Sequence, residues 1–266
     1  MRVERIPTLR DNYSYLIIDE DSNEAAVVDA PEAEPVVERV EHLAVRVTHV
    51  LSTHHHPDHS MANPTLAEHF GCPVYGHHSD AARIPGFTNG LEEGDRISVG
   101  GLEAEILFIP AHTRGHIAYV FPDAVFSGDT LFAAGCGRLF EGDPAMMHRA
   151  LNEKLARLPD ETRVFCGHEY TESNLRFATS VEPGCERVRE KLAWAEERRA
   201  KAAADWHLAA PEEMTIPSTI GEERETNPFM RVDSPEILES VRRAHPNASS
   251  DPVEILGHVR AMKDRF

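Results

Sequence analysis

Thr53-His54-His55-His56-Pro57-Asp58-His59 constrains the chain more than any other stretch. Val45 to Ser52 before it alternates apolar and polar residues and predicts a strand, and Ser60 to Phe70 after it predicts a short helix. The run therefore falls on a loop at a strand end, where a rigid scaffold presents its chemistry. Residues two apart on extended backbone point the same way, so His54 and His56 can grip one metal together. Asp58 and His59 follow Pro57, where the chain turns, and can face a second position. Imidazole and carboxylate donors without thiolate suit zinc, iron or manganese. The competing reading is a His-rich surface loop that binds nothing. It loses weight because further donors stand at similar strand ends downstream.

Around this loop, Val3 to Pro7, Tyr13 to Asp19 and Ala25 to Asp29 predict three strands with polar turns between them. Glu32 to Leu43 predicts an amphipathic helix with Pro35 in its early turn. Pro73 to Gly76 reads as a short strand. Arg96 to Val99 and Leu102 to Pro110 predict a hairpin around Gly100-Gly101, and Ile117 to Phe121 with Ala124 to Ser127 predict another. Pro144 to Leu158 predicts a helix and Arg163 to Cys166 a strand. Beyond Thr171 the pattern turns helical, over Thr171 to Ser180, Glu186 to Ala204, Pro235 to Ala244 and Pro252 to Asp264. The expected organisation is a mixed domain over residues 1–170 and a helical domain over 171–266. The Ala-rich, charged stretch from Ala200 to Ala210 has the look of an insertion.

A chain of 266 residues can bury a large core. It has no apolar run long enough to span a membrane. The N-terminal residues enter a strand pattern directly, without the apolar stretch of a secretory signal. Cys72, Cys136, Cys166 and Cys185 are far apart and form no C-x-x-C pair, so reduced thiols and a cytoplasmic protein are expected. A formal net charge of -18 argues against non-specific binding to nucleic acid or anionic membrane. The only lysines are Lys154, Lys191, Lys201 and Lys263. An acidic, lysine-poor surface fits work in high salt, where self-repulsion is screened. Arginine-favouring codon usage explains the same bias equally well.

Three more donor-bearing stretches follow predicted strands: Ala111-His112-Thr113-Arg114-Gly115-His116, Gly128-Asp129-Thr130 and Gly167-His168-Glu169-Tyr170. A lone histidine or aspartate at such a place is more often a cap or turn former. Three of them, with the first cluster, outline a pocket rim.

The pattern H-x-H-x-D-H followed by His112, Asp129 and His168 resembles the metallo-β-lactamase superfamily. Within it the chain is similar to the hydroxyacylglutathione hydrolases (glyoxalase II) over nearly its whole length. The narrower likeness rests on Ala134 to Gly142, Cys166 to Thr171, Glu190 to Ala195 and Asn227 to Arg231. The resemblance implies an α+β fold, an αββα sandwich with a smaller C-terminal all-α domain. It implies two divalent metal ions, zinc before iron or manganese. His54, His56 and His112 would hold the first, Asp58, His59 and His168 the second, and Asp129 would bridge them. Asp58 and Asp129 would then be the catalytic carboxylates that keep a hydroxide between the metals. Such a pair lowers the pKa of a shared water toward neutrality, and one ion polarises a carbonyl. The implied reaction is hydrolysis of S-D-lactoylglutathione, a glutathione thioester, to glutathione and D-lactate by an expected monomer. Arg138, Tyr170 and the Arg260/Lys263 pair would contact glutathione. Phe140 stands where some relatives carry a tyrosine, which removes one hydrogen bond worth about 1 kcal/mol.

Other residues carry weaker expectations. His55 is expected to face away from the ligands, His116 to bond a ligand or a carbonyl, and His77 and His78 to lie on the surface. Asp29 is expected either to orient a ligand histidine or to form a turn. Ser60-Met61-Ala62-Asn63, where the family usually has glycines, is expected to crowd the turn beside the metals. Two rivals remain: an iron-dependent persulfide dioxygenase of the same superfamily, using one iron and three ligands, and a non-catalytic metal-binding module. The complete ligand set argues against both. A β-lactamase would want an export signal, and a nuclease a basic surface.

Overall fold

The computed structural model describes residues 1–201 and 205–266. The first third of the chain builds one sheet. β1 (Arg2–Thr8), β2 (Asn12–Asp19), β3 (Glu24–Val28), β4 (Arg46–Leu51), β5 (Val74–His77) and β6 (Asn89–Leu91) lie side by side in that order. The first three are antiparallel and the rest parallel. Helices α1 (Glu34–Leu43), α2 (Pro57–Ser60) and α3 (Asn63–Phe70) link these strands. The predicted helix over Ser60 to Phe70 is thus divided at Met61 and Ala62.

A second six-stranded sheet takes the middle of the chain. It contains β7 (Arg96–Val99), β8 (Leu102–Phe108), β9 (Ile117–Phe121) and β10 (Ala124–Gly128). A small hairpin of β11 (Leu131–Phe132) and β12 (Gly135–Cys136) leads out of it. The strand β13 (Arg163–Cys166) then pairs parallel to β10, and the two-residue β14 (Ser218–Thr219) returns from the C-terminal part to its edge. The helix expected from Pro144 to Leu158 forms in three pieces. α4 (Pro144–His148) widens to a π-type turn over Arg149–Lys154 and tightens to a 3-10 turn at Leu155–Arg157. The remainder is α5 (Thr171–Val181), α6 (Glu186–Arg199), α7 (Ile220–Thr226), α8 (Pro235–Ala244) and α9 (Pro252–Lys263). The predicted end of the helix from Glu186 falls on residues 202–204, outside the described residues.

The two sheets pack face to face, and β2 explains how the sequence specifies it. All eight of its residues are buried. Tyr13, Tyr15 and Ile17 face the second sheet, where the Tyr15 ring meets Phe126 at 5.4 Å and Phe165 at 5.3 Å edge-on. Leu16 and Ile18 face the other way, onto Val36 and Val40 of α1 and Leu66 of α3. The period of two is present, but both faces are covered, so the strand reads as continuously apolar. Each fully buried aliphatic side chain there contributes about 1.5–3 kcal/mol. Helices from the C-terminal part cover the outer face of the second sheet, with Phe177, Phe229, Ile237 and Val259 against Val125 and Val164. The result is helices, sheet, sheet, helices, with mixed helices and strands as expected. Strands β6, β11, β12 and β14 have only two or three residues each, and pairing rather than propensity fixes them.

Candidate metal centre and pocket

Seven side chains from the ends of four central strands converge at one end of the sandwich. His54, His56, Asp58 and His59 follow β4 in the first sheet. His112, Asp129 and His168 follow β8, β10 and β13 in the second. Glycines permit the approach at two of these ends. Gly128, at φ +48°, has no room for a Cβ against Thr53 and His116, and a Cβ on Gly167 would collide with Asp129 and His59.

His54, His56 and His112 form one triad. The Nδ1 of His56 lies 3.1 Å from the Nε2 of His54 and 3.1 Å from the Nε2 of His112. Asp58, His59 and His168 form the second, with Asp58 Oδ2 3.7 Å from His59 Nε2 and 3.5 Å from His168 Nε2. Asp129 stands between them. Its Oδ1 is 3.3 Å from His59 Nε2, and its Oδ2 is 3.3 Å from His168 Nε2 and 3.6 Å from His112 Nε2.

These donors fit a pair of cations. Burial keeps the first triad neutral: His54 and His112 are pushed down, and His56 falls to about 4. Neutral imidazoles with nitrogens turned on one another are the ligand form. In the second triad burial opposes charge, yet Asp129 and Asp29 hold His59 up at about 10, and Asp129 and Asp11 raise His168. Carboxylates there retain positive charge against desolvation, which is what a cation would supply. His59 Nε2 and Asp129 Oδ1 are buried without a hydrogen-bond partner, as two donors facing a metal position would be.

A layer of partners orients the rings. Asp29 accepts from the Thr53 amide at 2.8 Å and its hydroxyl at 2.7 Å, and bonds His59 Nδ1 at 3.0 Å. The Thr53 hydroxyl is 3.0 Å from His54 Nδ1. Asp29 is therefore an orienting residue. His112 Nδ1 bonds the Arg138 carbonyl at 2.9 Å, and His168 Nδ1 bonds Asp11 at 2.8 Å. His116 meets the ligand half of its expectation: its Nε2 accepts from the Asp129 amide at 3.1 Å, fixing that backbone, and its ring stacks on His54 at 4.6 Å. His55 turns away to Asp80, at 3.2 Å. Ser60 does not crowd the turn. Its hydroxyl donates to the His55 and His56 carbonyls and closes it. His77, expected on the surface, is buried and stacks on Phe108 at 4.4 Å.

Sequence reasoning missed Asp11, Asn12 and Thr53. Asn12 donates to the Asp58 carbonyl at 3.0 Å and to its Oδ2 at 3.4 Å. Polar residues at strand starts read as turn formers. The available signal was that Asp11-Asn12 abuts a fully apolar strand, as the donors do.

The centre opens into a cavity of about 460 Å³. All five residues expected to meet substrate line it. Tyr170 stacks on the His168 ring at 4.6 Å, and Phe140 reaches His112 at 5.1 Å with most of its side exposed. Arg138 is exposed, with Nε 3.6 Å from Asp264. Arg260 is buried: it donates to the Cys136 carbonyl at 2.7 Å and to Asp264 at 3.2 Å. Lys263 donates to the Ser173 carbonyl at 3.0 Å. Of the family-like stretches, Asn227 has a clear task. Its amide donates to the Gly135 carbonyl at 2.9 Å and pins the hairpin that presents Phe132 to the cavity.

Comparison with known proteins agrees with this fold. Residues 7–168 match the family model described as Metallo-beta-lactamase superfamily, and residues 169–266 match Hydroxyacylglutathione hydrolase C-terminus. A hydroxyacylglutathione hydrolase of Synechococcus sp. (strain JA-3-3Ab) is 44% identical over 269 residues, covering all of both chains. Among solved structures, ETHE1 from Myxococcus xanthus superposes with a TM-score of 0.65 at 26% identity, over 99% of this chain and 98% of that one. TTHA1623 in a di-iron-bound form superposes with a TM-score of 0.58 at 25% identity, over 86% of this chain and all of that one. The chain belongs to the hydroxyacylglutathione hydrolase family of the metallo-β-lactamase superfamily.

Proposed function

We propose that the chain hydrolyses S-2-hydroxyacylglutathione thioesters, S-D-lactoylglutathione foremost, to glutathione and a 2-hydroxy acid. The carrying observation is the pair of donor triads with Asp129 between them, opening on a cavity with cationic residues in its wall. His54, His56 and His112 would hold one ion, Asp58, His59 and His168 the other, and Asp129 both. Zinc suits this set first, and iron or manganese next. Ions held there supply a water ionised near neutral pH and an electrophile for the thioester carbonyl.

The chain's own groups do the rest. Asp29, Thr53, Asp11 and the Arg138 carbonyl hold the imidazoles in one tautomer and orientation. Phe132, Phe140 and Tyr170 give the thioester an apolar wall, and Arg138 and Lys263 offer charge to the glutathione carboxylates. The local cationic patch opposes the acidic field of the whole chain. Burial pushes the Cys136 thiol up to about 11, so the one cysteine in the cavity wall is a poor nucleophile and a covalent route lacks support. On this reading residues 1–170 form the metal domain and 171–266 the substrate-binding domain. Among the described residues no helix is long and apolar enough to cross a membrane, and we place the enzyme in the cytoplasm.

The test is hydrolysis of S-D-lactoylglutathione by the metal-loaded chain at low and high salt, alongside elemental analysis. Asp129→Ala should abolish turnover and lower metal content. Absence of thioesterase activity in a fully loaded sample overturns the assignment. Oxygen consumption with glutathione persulfide and one iron per chain would establish the dioxygenase instead.

A further inference from the structure

The supports of the two triads are unequal. Thr53, fully buried after β4, holds His54, and the Arg138 carbonyl, from the loop after β12, holds His112. Two ligands of the second triad lean on one surface turn. Asn12 fixes Asp58 through both its carbonyl and its carboxylate. Asp11 fixes His168 through Nδ1, and the Asp11 carbonyl accepts from the Glu169 amide at 2.8 Å. The Tyr13 amide donates to the Gly167 carbonyl at 2.9 Å, so the turn and the His168 loop form one backbone unit.

The outer side of that turn is held by the stretch that reads as an insertion. Trp206 is buried, meets the Tyr13 ring edge-on at 5.2 Å, and donates from its indole nitrogen to the Asn12 carbonyl at 2.9 Å. His207 bonds Glu32 at 2.9 Å, and the same Glu32 oxygen accepts from the Leu9 amide at 2.7 Å. Both ends of the turn are thereby clasped. We propose that Trp206 and His207 are positioning residues for the second cation, tuning its affinity through Asn12 and Asp11 while leaving the first position alone. The inference rests on the dinuclear reading of the site.

The full chain, stripped of metal, is titrated with zinc against a competing chelator to resolve two binding steps. Trp206→Phe keeps an apolar ring but loses the indole donor. It should weaken the second step roughly tenfold, at the low end for lost outer partners, and move the first by less than twofold. Asn12→Ala should weaken the same step, and Trp206→Phe should add little on top of it, because the two act in series. If Trp206→Phe fails to fold, Glu32→Gln, which alters the His207 and Leu9 contacts and leaves Trp206 in place, should still weaken the second step alone by two- to threefold. Equal weakening of both steps, an unchanged second step, or simple additivity with Asn12→Ala overturns the proposal. A wild-type chain that takes up only one ion defeats the dinuclear reading itself, a result distinct from all of these.

Discussion

On the proposed reading, Lys263 should set an upper pH limit on substrate capture. Its ammonium sits against Ser173 and lies 5.3 Å from the Phe177 and Phe266 ring centres. Burial, with the Arg260 guanidinium adding to it, lowers its pKa to about 8. Such a group is roughly nine-tenths charged at pH 7 and one-tenth charged at pH 9. Where capture of an anionic thioester needs the charged form, kcat/KM falls about tenfold over that interval, or about 1.4 kcal/mol, and KM carries the change. Lys263→Arg holds the charge throughout and should flatten the slope. The assay is kcat and KM for S-D-lactoylglutathione in half-unit pH steps, with a thioester lacking carboxylates as control. An unchanged slope in Lys263→Arg, or the same slope with the neutral thioester, would refute the reasoning.

Two further substitutions test the surrounding design. Asp29→Asn preserves the left-handed backbone at φ +50° but turns an NH2 toward His59. It should favour the His59 tautomer protonated at Nε2, weaken the second cation roughly 10- to 100-fold, and lower stability by about 2–3 kcal/mol, read by zinc titration and thermal unfolding. Asp264→Asn frees Arg138 and Arg260 from an internal counter-ion at 3.6 and 3.2 Å. KM should drop about threefold to fivefold with kcat unchanged, in line with a partly exposed ion pair; a raised KM would mean that Asp264 instead holds the two arginines in place.

The candidate metal donors were legible because each combines a scarce residue type with a scarce location. His54, His112, Asp129 and His168 follow apolar runs that can only be strands, and sequence periodicity marks such runs well. The orienting layer was not legible for a physical reason. Asp11, Asn12 and Thr53 are ordinary turn and cap residues until the fold brings His168, Asp58 and Asp29 beside them. Arg260 shows the opposite limit. Helical spacing correctly put it beside Lys263, but spacing is blind to the Cys136 carbonyl and Asp264, which already engage its guanidinium. The two-residue β14 and the charged helix α7 escaped because neither has enough residues for a periodic signal.

The division of donors between the sheets has a consequence for synthesis. The ribosome delivers the His54–His59 loop with the first sheet, and His168 emerges only after nearly all of the second. During that interval the nascent chain exposes a histidine-rich loop that can capture a cation with too few partners. Folding of the second half would then have to recruit such an ion or displace it, and on the proposed ligand set complete loading waits for the arrival of β13.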